Sequence, residues 1–85
     1  MDITLYCTSW CRDCRMAKEF LDANGVAYAE IDIDCDPAAE AELLACVGKR
    51  AVPQMRIDGE WFQPYRPGLG LLYEEIRRRL GLKSA

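Results

Sequence analysis

The sequence predicts an α/β fold: a four-stranded mixed sheet with helices on both faces, in the order β-α-β-α-β-β-α. Three observations predict it. Short apolar segments of period two alternate with segments of helical period. Asn24-Gly25, Asp36-Pro37 and Gly48 punctuate the first two helical segments with stop and start residues. Asp58-Gly59 then stands between two short strand-like segments as a two-residue hairpin signal. Strands joined through a helix should be parallel, and strands joined by a tight turn antiparallel. The 85 residues suit one domain, 1–85, with no room for a second.

Each element follows from local chemistry. Ile3, Leu5 and Cys7 alternate with Thr4 and Tyr6, so residues 3–7 read as a strand with the first set on one face. Thr8-Ser9-Trp10 forms a short loop. From Cys11 or Arg12 the period becomes helical, with Cys14, Ala17 and Leu21 on one side and Phe20 beside them. Gly25 follows as the left-handed residue past the helix end. Residues 26–33 read as the second strand, Ile31 and Ile33 on one face. Asp36 caps a second helix that Pro37 opens, running to about Val47. Ala41, Leu44 and Ala45 are its expected core face. Lys49 to Val52 lead as a loop into Pro53. Residues 54–57 form a strand with Met55 and Ile57 inward, and Glu60 to Gln63 return. After Pro67 a third helix is expected, with Leu69, Leu72, Tyr73, Ile76 and Leu80 along one face. Glu74–Arg78 and Glu75–Arg79 are spaced for ion pairs, and Arg77, Arg78 and Arg79 suit the negative helix end.

Composition narrows the function. Apolar residues make up 51%, charged residues 29%, and the net charge is −3. That balance lacks the basic footprint of a nucleic-acid binder. No apolar run approaches the roughly 18 residues of a membrane span. Met1-Asp2-Ile3-Thr4 carries neither the basic nor the apolar segment of a signal peptide. The expectation is a soluble, cytoplasmic, monomeric chain without nucleic-acid or membrane partners. Five cysteines and no histidine are present. The cytosol keeps thiols reduced, so this density points to redox or metal chemistry rather than a structural disulfide framework.

The chemistry concentrates at Cys11-Arg12-Asp13-Cys14, a C-x-x-C between a strand and a helix. A cysteine at a helix N-terminus faces unpaired backbone N–H groups and the positive end of the dipole, which favour a thiolate. Arg12, Arg15 and Lys18 add positive charge, and Asp13 opposes it. Cys14, almost one turn later, is placed to attack a mixed disulfide formed on Cys11. Cys11 is therefore the candidate nucleophile and Cys14 the candidate resolving thiol. Cys7, Cys11 and Cys14 also spell C-x3-C-x2-C, a spacing used by much larger iron–sulfur enzymes, but Cys7 reads as core. A zinc site would need a second cysteine pair, which Cys35 and Cys46 do not form. These two are separated by roughly 15 Å of helix, beyond the ~7 Å Cα separation of a disulfide. Cys7 and Cys46 are expected to be buried as small hydrophobes and Cys35 to be exposed. No metal site is expected.

Trp10-Cys11-x-x-Cys14, Val52-Pro53 and the Asp58-Gly59 hairpin together resemble the glutaredoxin family of the thioredoxin superfamily, across essentially the whole chain. The resemblance implies the thioredoxin fold. It implies a cis Pro53 beside Cys11 and a Val52 backbone that receives an extended substrate. Where glutathione-using members carry a glycine pair, this chain has Gln63-Pro64-Tyr65-Arg66. Phe62 to Pro67 resembles the aromatic-x-x-aromatic-Arg-Pro segment of ribonucleotide-reductase-linked redoxins, whereas Thr8-Ser9-Trp10-Cys11 resembles mycoredoxins.

The expected function is therefore a thiol–disulfide oxidoreductase that reduces protein disulfides through Cys11 and Cys14. Trp10, Arg12, Val52, Pro53, Tyr65 and Arg66 are the expected substrate-binding residues. No cofactor is expected to be bound. Electrons would come from a thioredoxin-reductase-type flavoprotein or from a low-molecular-weight thiol, and the partners would be a protein client and a reductase. One alternative is reduction of mixed disulfides with glutathione or a similar thiol, with Arg12, Lys49 and Arg50 holding its carboxylates. Another is an iron–sulfur or metal carrier on the same fold.

Overall fold

A computed structural model describes residues 1–83. The elements are β1 (Ile3–Cys7), α1 (Arg12–Ala23), β2 (Ala29–Asp32), α2 (Pro37–Val47), β3 (Gln54–Ile57), β4 (Glu60–Phe62), β5 (Tyr65–Arg66), β6 (Gly70–Leu71) and α3 (Tyr73–Leu80). The main sheet has the order β2-β1-β3-β4. β1 pairs parallel with β2, Cys7 opposite Asp32, and antiparallel with β3, Tyr6 opposite Gln54. The β3–β4 hairpin turns at Asp58 (φ 49°) and Gly59 (φ 88°), two consecutive left-handed residues that match the twist of the flanking strands.

The sheet is packed on both faces. Ile3, Leu5, Met55, Ile57 and Phe62 meet Ala17 and Leu21 of α1 and Ile76 of α3. Tyr6 and Ile33 meet Ala39 and Leu43 of α2. Because β1 is central, both its faces are buried, and period two alone does not reveal that. Trp61 joins the α2 side, its ring 4.9 Å from Tyr6 and under the Arg56 guanidinium. It packs on the core with part of its ring and stays half-buried.

The helix signals act as the residues require. Cys11 caps α1. At its other end Gly25 N–H bonds Asp22 O (3.1 Å) and Val26 N–H bonds Leu21 O (3.0 Å), a Schellman exit around Gly25 (φ 67°). Asp36 Oδ1 accepts from Ala39 N–H (3.1 Å), Pro37 opens α2, and Gly48 (φ 88°) ends it.

Four expectations change. First, β2 begins at Ala29 rather than at residue 26. Val26 and Tyr28 are consumed by the exit from α1 and pack on its core cluster. Second, α2 buries Ala39 and Leu43, while Ala41, Leu44 and Ala45 face outward and Cys46 is exposed. Apolar residues surround this helix, so no face was distinguished by pattern. Third, residues 65–71 form a small hairpin instead of the first turn of a helix. Gly68 (φ 83°) and Gly70 (φ 75°) are left-handed, which a right-handed helix does not accommodate. Leu69 is therefore exposed at the turn and Leu71 enters the core. Fourth, Glu75 bonds both Arg78 and Arg79 (3.3 Å to Arg79), while Glu74 faces Arg77 at 3.9 Å instead of Arg78.

Candidate active site

The C-terminal end of β1, the start of α1 and the loop before β3 meet at one end of the sheet, beside its two central strands. Cys11 occupies the N-cap position of α1 with extended backbone (φ −81°, ψ 119°). Its Sγ accepts the Cys14 N–H at 3.4 Å, so a backbone donor of the first turn points at the sulfur. The Cys11 thiol also lies 4.0 Å from the Val52 carbonyl oxygen. Val52-Pro53 is a cis peptide, Pro53 is buried and Val52 is half-buried. Cys11 itself is half-buried and Cys14 fully buried, 0% exposed, directly behind it. All five cysteines are free.

Such an arrangement suits thiol–disulfide exchange. An accessible sulfur faces a helix N-terminus, where an anion is stabilised, and a second sulfur waits where solvent does not reach. The Cys14 thiol is pushed up, first by the neighbouring Cys7 thiol, then by burial and by Cys11. It is thus a protonated thiol at rest.

The expected substrate residues divide into two groups. Trp10, Arg12, Val52 and Pro53 gather around Cys11. Trp10 is 69% exposed, yet its indole is fixed, because Nε1 donates to Asp34 Oδ2 at 2.9 Å. Asp34 in turn holds Arg50, which also reaches Glu40 at 2.5 Å, and these donors hold Asp34 below the ordinary carboxylate range. Arg50 is therefore occupied by carboxylates of its own chain. Tyr65 and Arg66 line a separate groove of about 830 Å³ with Trp61, Phe62, Tyr73 and Arg79. Neither cysteine of the C-x-x-C lines that groove, so its size does not make it the reaction site.

Lys18 was expected to favour a Cys11 thiolate, but it bonds Glu30 of β2 at 3.0 Å, which raises its own pKa. Arg12 and Arg15 remain exposed at the first turn. Cys7, read from the sequence as core alone, is buried but also polar in its contacts: its Sγ lies 3.5 Å from Glu30 Oε2 and 3.8 Å from Ile31 O. The roles of Asp34, Glu30 and Cys7 depend on neighbours 23 or 24 residues away, and no local spacing marks them. Among the described residues, no group of three acidic, cysteine or histidine side chains is placed to hold a metal ion. No helix among them is long and apolar enough to cross a membrane.

Comparison with known proteins agrees with this geometry. Residues 3–62 match the glutaredoxin family profile. A Mycobacterium tuberculosis protein of glutaredoxin name, Rv3198A, is 45% identical over 56 residues, covering 64% of this chain and 66% of that one. The match thus spans just under two thirds of that relative. The crystal structure of the thioredoxin-like protein BC3987, mutant T8A, superposes with a TM-score of 0.82 at 33% identity, covering 96% of this chain and 97% of its own. The glutaredoxin-like protein NrdH-redoxin from Escherichia coli, described as having a thioredoxin-like activity profile, superposes with a TM-score of 0.66 at 29% identity. That match covers 81% of this chain and 90% of the redoxin.

Proposed function

The chain belongs to the glutaredoxin family, and from that premise we propose that it is a thiol–disulfide oxidoreductase reducing protein disulfides by dithiol exchange. The observation that carries this reading is the sulfur pair: Cys11 Sγ accessible at the α1 N-terminus, 3.4 Å from the Cys14 N–H, with Cys14 buried behind it. Cys11, as thiolate, attacks one sulfur of the client disulfide. A Cys11–client bond forms, the client S–S bond breaks, and one client sulfur leaves as a thiolate that takes up a proton. Cys14 then attacks Cys11 Sγ, forming the Cys11–Cys14 disulfide and releasing the second client thiol. Two electrons have passed to the client, and an external two-electron reductant restores the dithiol.

Val52 and Pro53 support a client-binding role, since the Val52 backbone lies beside the reacting sulfur. Extended peptides bind such backbone through main-chain hydrogen bonds. Trp10, braced by Asp34, adds a fixed aromatic surface next to Cys11. A thioredoxin-reductase-type flavoprotein is the reading's electron donor. Its support is the Pro64-Tyr65-Arg66 segment, which has a buried proline without a backbone N–H where a glycine pair would admit a small thiol closely. The NrdH-redoxin likeness points the same way. The second reading, turnover of glutathione-type mixed disulfides, is favoured by the exposed Arg12 and Arg15.

Parallel coupled assays following NADPH oxidation separate the two. One contains thioredoxin reductase and a protein disulfide, the other glutathione, its reductase and a glutathione mixed disulfide. Turnover is expected in the first and at most a small fraction of it in the second. Efficient turnover only with glutathione would replace the first reading with the second.

A further inference from the structure

Two chain segments flank Cys11, and one carboxylate ties them together. Trp10, immediately before Cys11, donates its indole N–H to Asp34 Oδ2 at 2.9 Å. Arg50 donates through Nη2 to the other oxygen, Asp34 Oδ1. Arg50 stands two residues before Val52, whose carbonyl oxygen is 4.0 Å from Cys11 Sγ. Two residues span at most about 7 Å of backbone, so both ties place Arg50 at the rim of the reacting sulfur. Its Nε donates to Glu40 Oε2 at 2.5 Å. Nε and Nη2 belong to one edge of the guanidinium, a fork that can hold a single carboxylate bidentately. Here two carboxylates of the chain itself divide that fork. With one positive and two negative charges the cluster is negative overall. All three side chains are partly exposed, so anions in solution can reach it.

We infer that Asp34 and Glu40 are specificity-determining residues: by occupying Arg50 they turn the site away from small thiols that carry carboxylates and toward protein disulfides. This rests on the dithiol reading proposed above and adds to it the selection of substrate class. A free arginine beside the reacting sulfur would bind a carboxylate of a small peptide thiol through its fork. In this chain an arriving carboxylate has to displace Asp34 or Glu40 from that fork, and the like charges repel it. A protein client is read differently. Its extended backbone pairs with the Val52 backbone through uncharged hydrogen bonds, which the cluster does not oppose. Asp34 has a second task in bracing Trp10. The amide oxygen of asparagine can accept the same indole hydrogen bond, so Asp34→Asn removes the charge and keeps the brace. Arg12 and Arg15 stay exposed and attract anions alike in every variant, so they cancel in a comparison among variants.

The test reads the first attack by Cys11 alone. Cys14, Cys35 and Cys46 are replaced by Ser, so that a mixed disulfide formed on Cys11 stays there. Two disulfides are compared: oxidised glutathione, which is rich in carboxylates, and bis(2-hydroxyethyl) disulfide, which has none. With either, Cys11 attacks one sulfur, a Cys11–sulfur bond forms, and the other half leaves as a thiol. Intact-mass analysis of quenched samples gives the rate of adduct formation, and the quantity read is the ratio of the two rates. Asp34→Asn with Glu40→Gln is expected to raise this ratio about tenfold at low salt. The rise should shrink as salt screens the exposed guanidinium. Adding Arg50→Gln should bring the ratio back close to the parent's, because the gain needs a released guanidinium and not merely two fewer negative charges. A change in folding or in Cys11 reactivity would move both rates together and leave the ratio alone. A parent-like ratio in the double variant, or a gain that survives Arg50→Gln, overturns this inference and leaves the dithiol reading standing. Undiminished adduct formation after Cys11→Ser overturns both.

Discussion

At the residue scale, the site is governed by what each polar atom touches rather than by net charge. Arg12, Arg15 and Lys18 look equivalent along the sequence, but Lys18 is committed to Glu30 and Arg50 to Asp34 and Glu40. Tyr28 shows the same principle in titration. Burial first, and its hydrogen bond to Asp22 second, push its pKa from 10.0 up to about 12. The folded state therefore keeps the phenol proton that the unfolded chain loses near pH 10. Stability from this group is complete below that pH and is lost as pH rises toward 12. Tyr28→Phe should be less stable than the parent at pH 9, through loss of the hydrogen bond. That difference should narrow between about pH 10 and 12, because only the parent has the Tyr28 contribution to lose. Urea midpoints across this range decide it; a constant difference would mean Tyr28 titrates alike in both states.

At the scale of elements, caps were readable and faces were not always so. Cys11, Gly25, Asp36-Pro37 and Gly48 mark helix boundaries through chemistry confined to a few neighbouring residues. In α2 the inward face follows instead from contact with Tyr6 of β1 and with Ile33, just past the end of β2. Leu43 and Leu44 are adjacent and chemically identical, yet Leu43 is 0% and Leu44 41% exposed. Leu43→Ala should cost about 2–5 kcal/mol, the range for a buried leucine that leaves a cavity. Leu44→Ala should fall within about 0.5 kcal/mol of the parent. Urea denaturation of the two variants compares them directly, and equal losses would contradict this orientation of α2.

For the whole molecule, the sheet separates two apolar clusters. One lies under α1 and α3 and contains Ile76; the other lies under α2 and contains Ile33. A chain this small has little stability to spare, so how the two layers share it matters. Ile33→Val and Ile76→Val should each cost about 0.5–1.5 kcal/mol. Because the side chains lie in different clusters, the double variant should lose the sum within about 0.5 kcal/mol. A strongly non-additive result in equilibrium unfolding would show that the layers repack together through the sheet. Within the sheet, Cys7 of β1 lies beside β2, and its thiol donates to the Glu30 carboxylate on that neighbouring strand.

By itself the sequence determined the strand and helix order through α2, the Asp58-Gly59 hairpin, the cap at Asp36 and the C-x-x-C at the start of α1. Each depends on backbone conformation or periodicity within a few residues. A family resemblance supplied the cis Val52-Pro53 peptide. Tertiary structure decided the rest. It turned Leu43 inward rather than Leu44 and exposed Cys46. It replaced a helical turn by the Tyr65–Leu71 hairpin, placed Tyr65 and Arg66 in a groove of their own, and joined Trp10 to Asp34 and Cys7 to Glu30. The physical reason is that burial, ion pairing and hydrogen bonding at these positions are chosen among partners distant in the chain. Only the packed sheet brings those partners within reach.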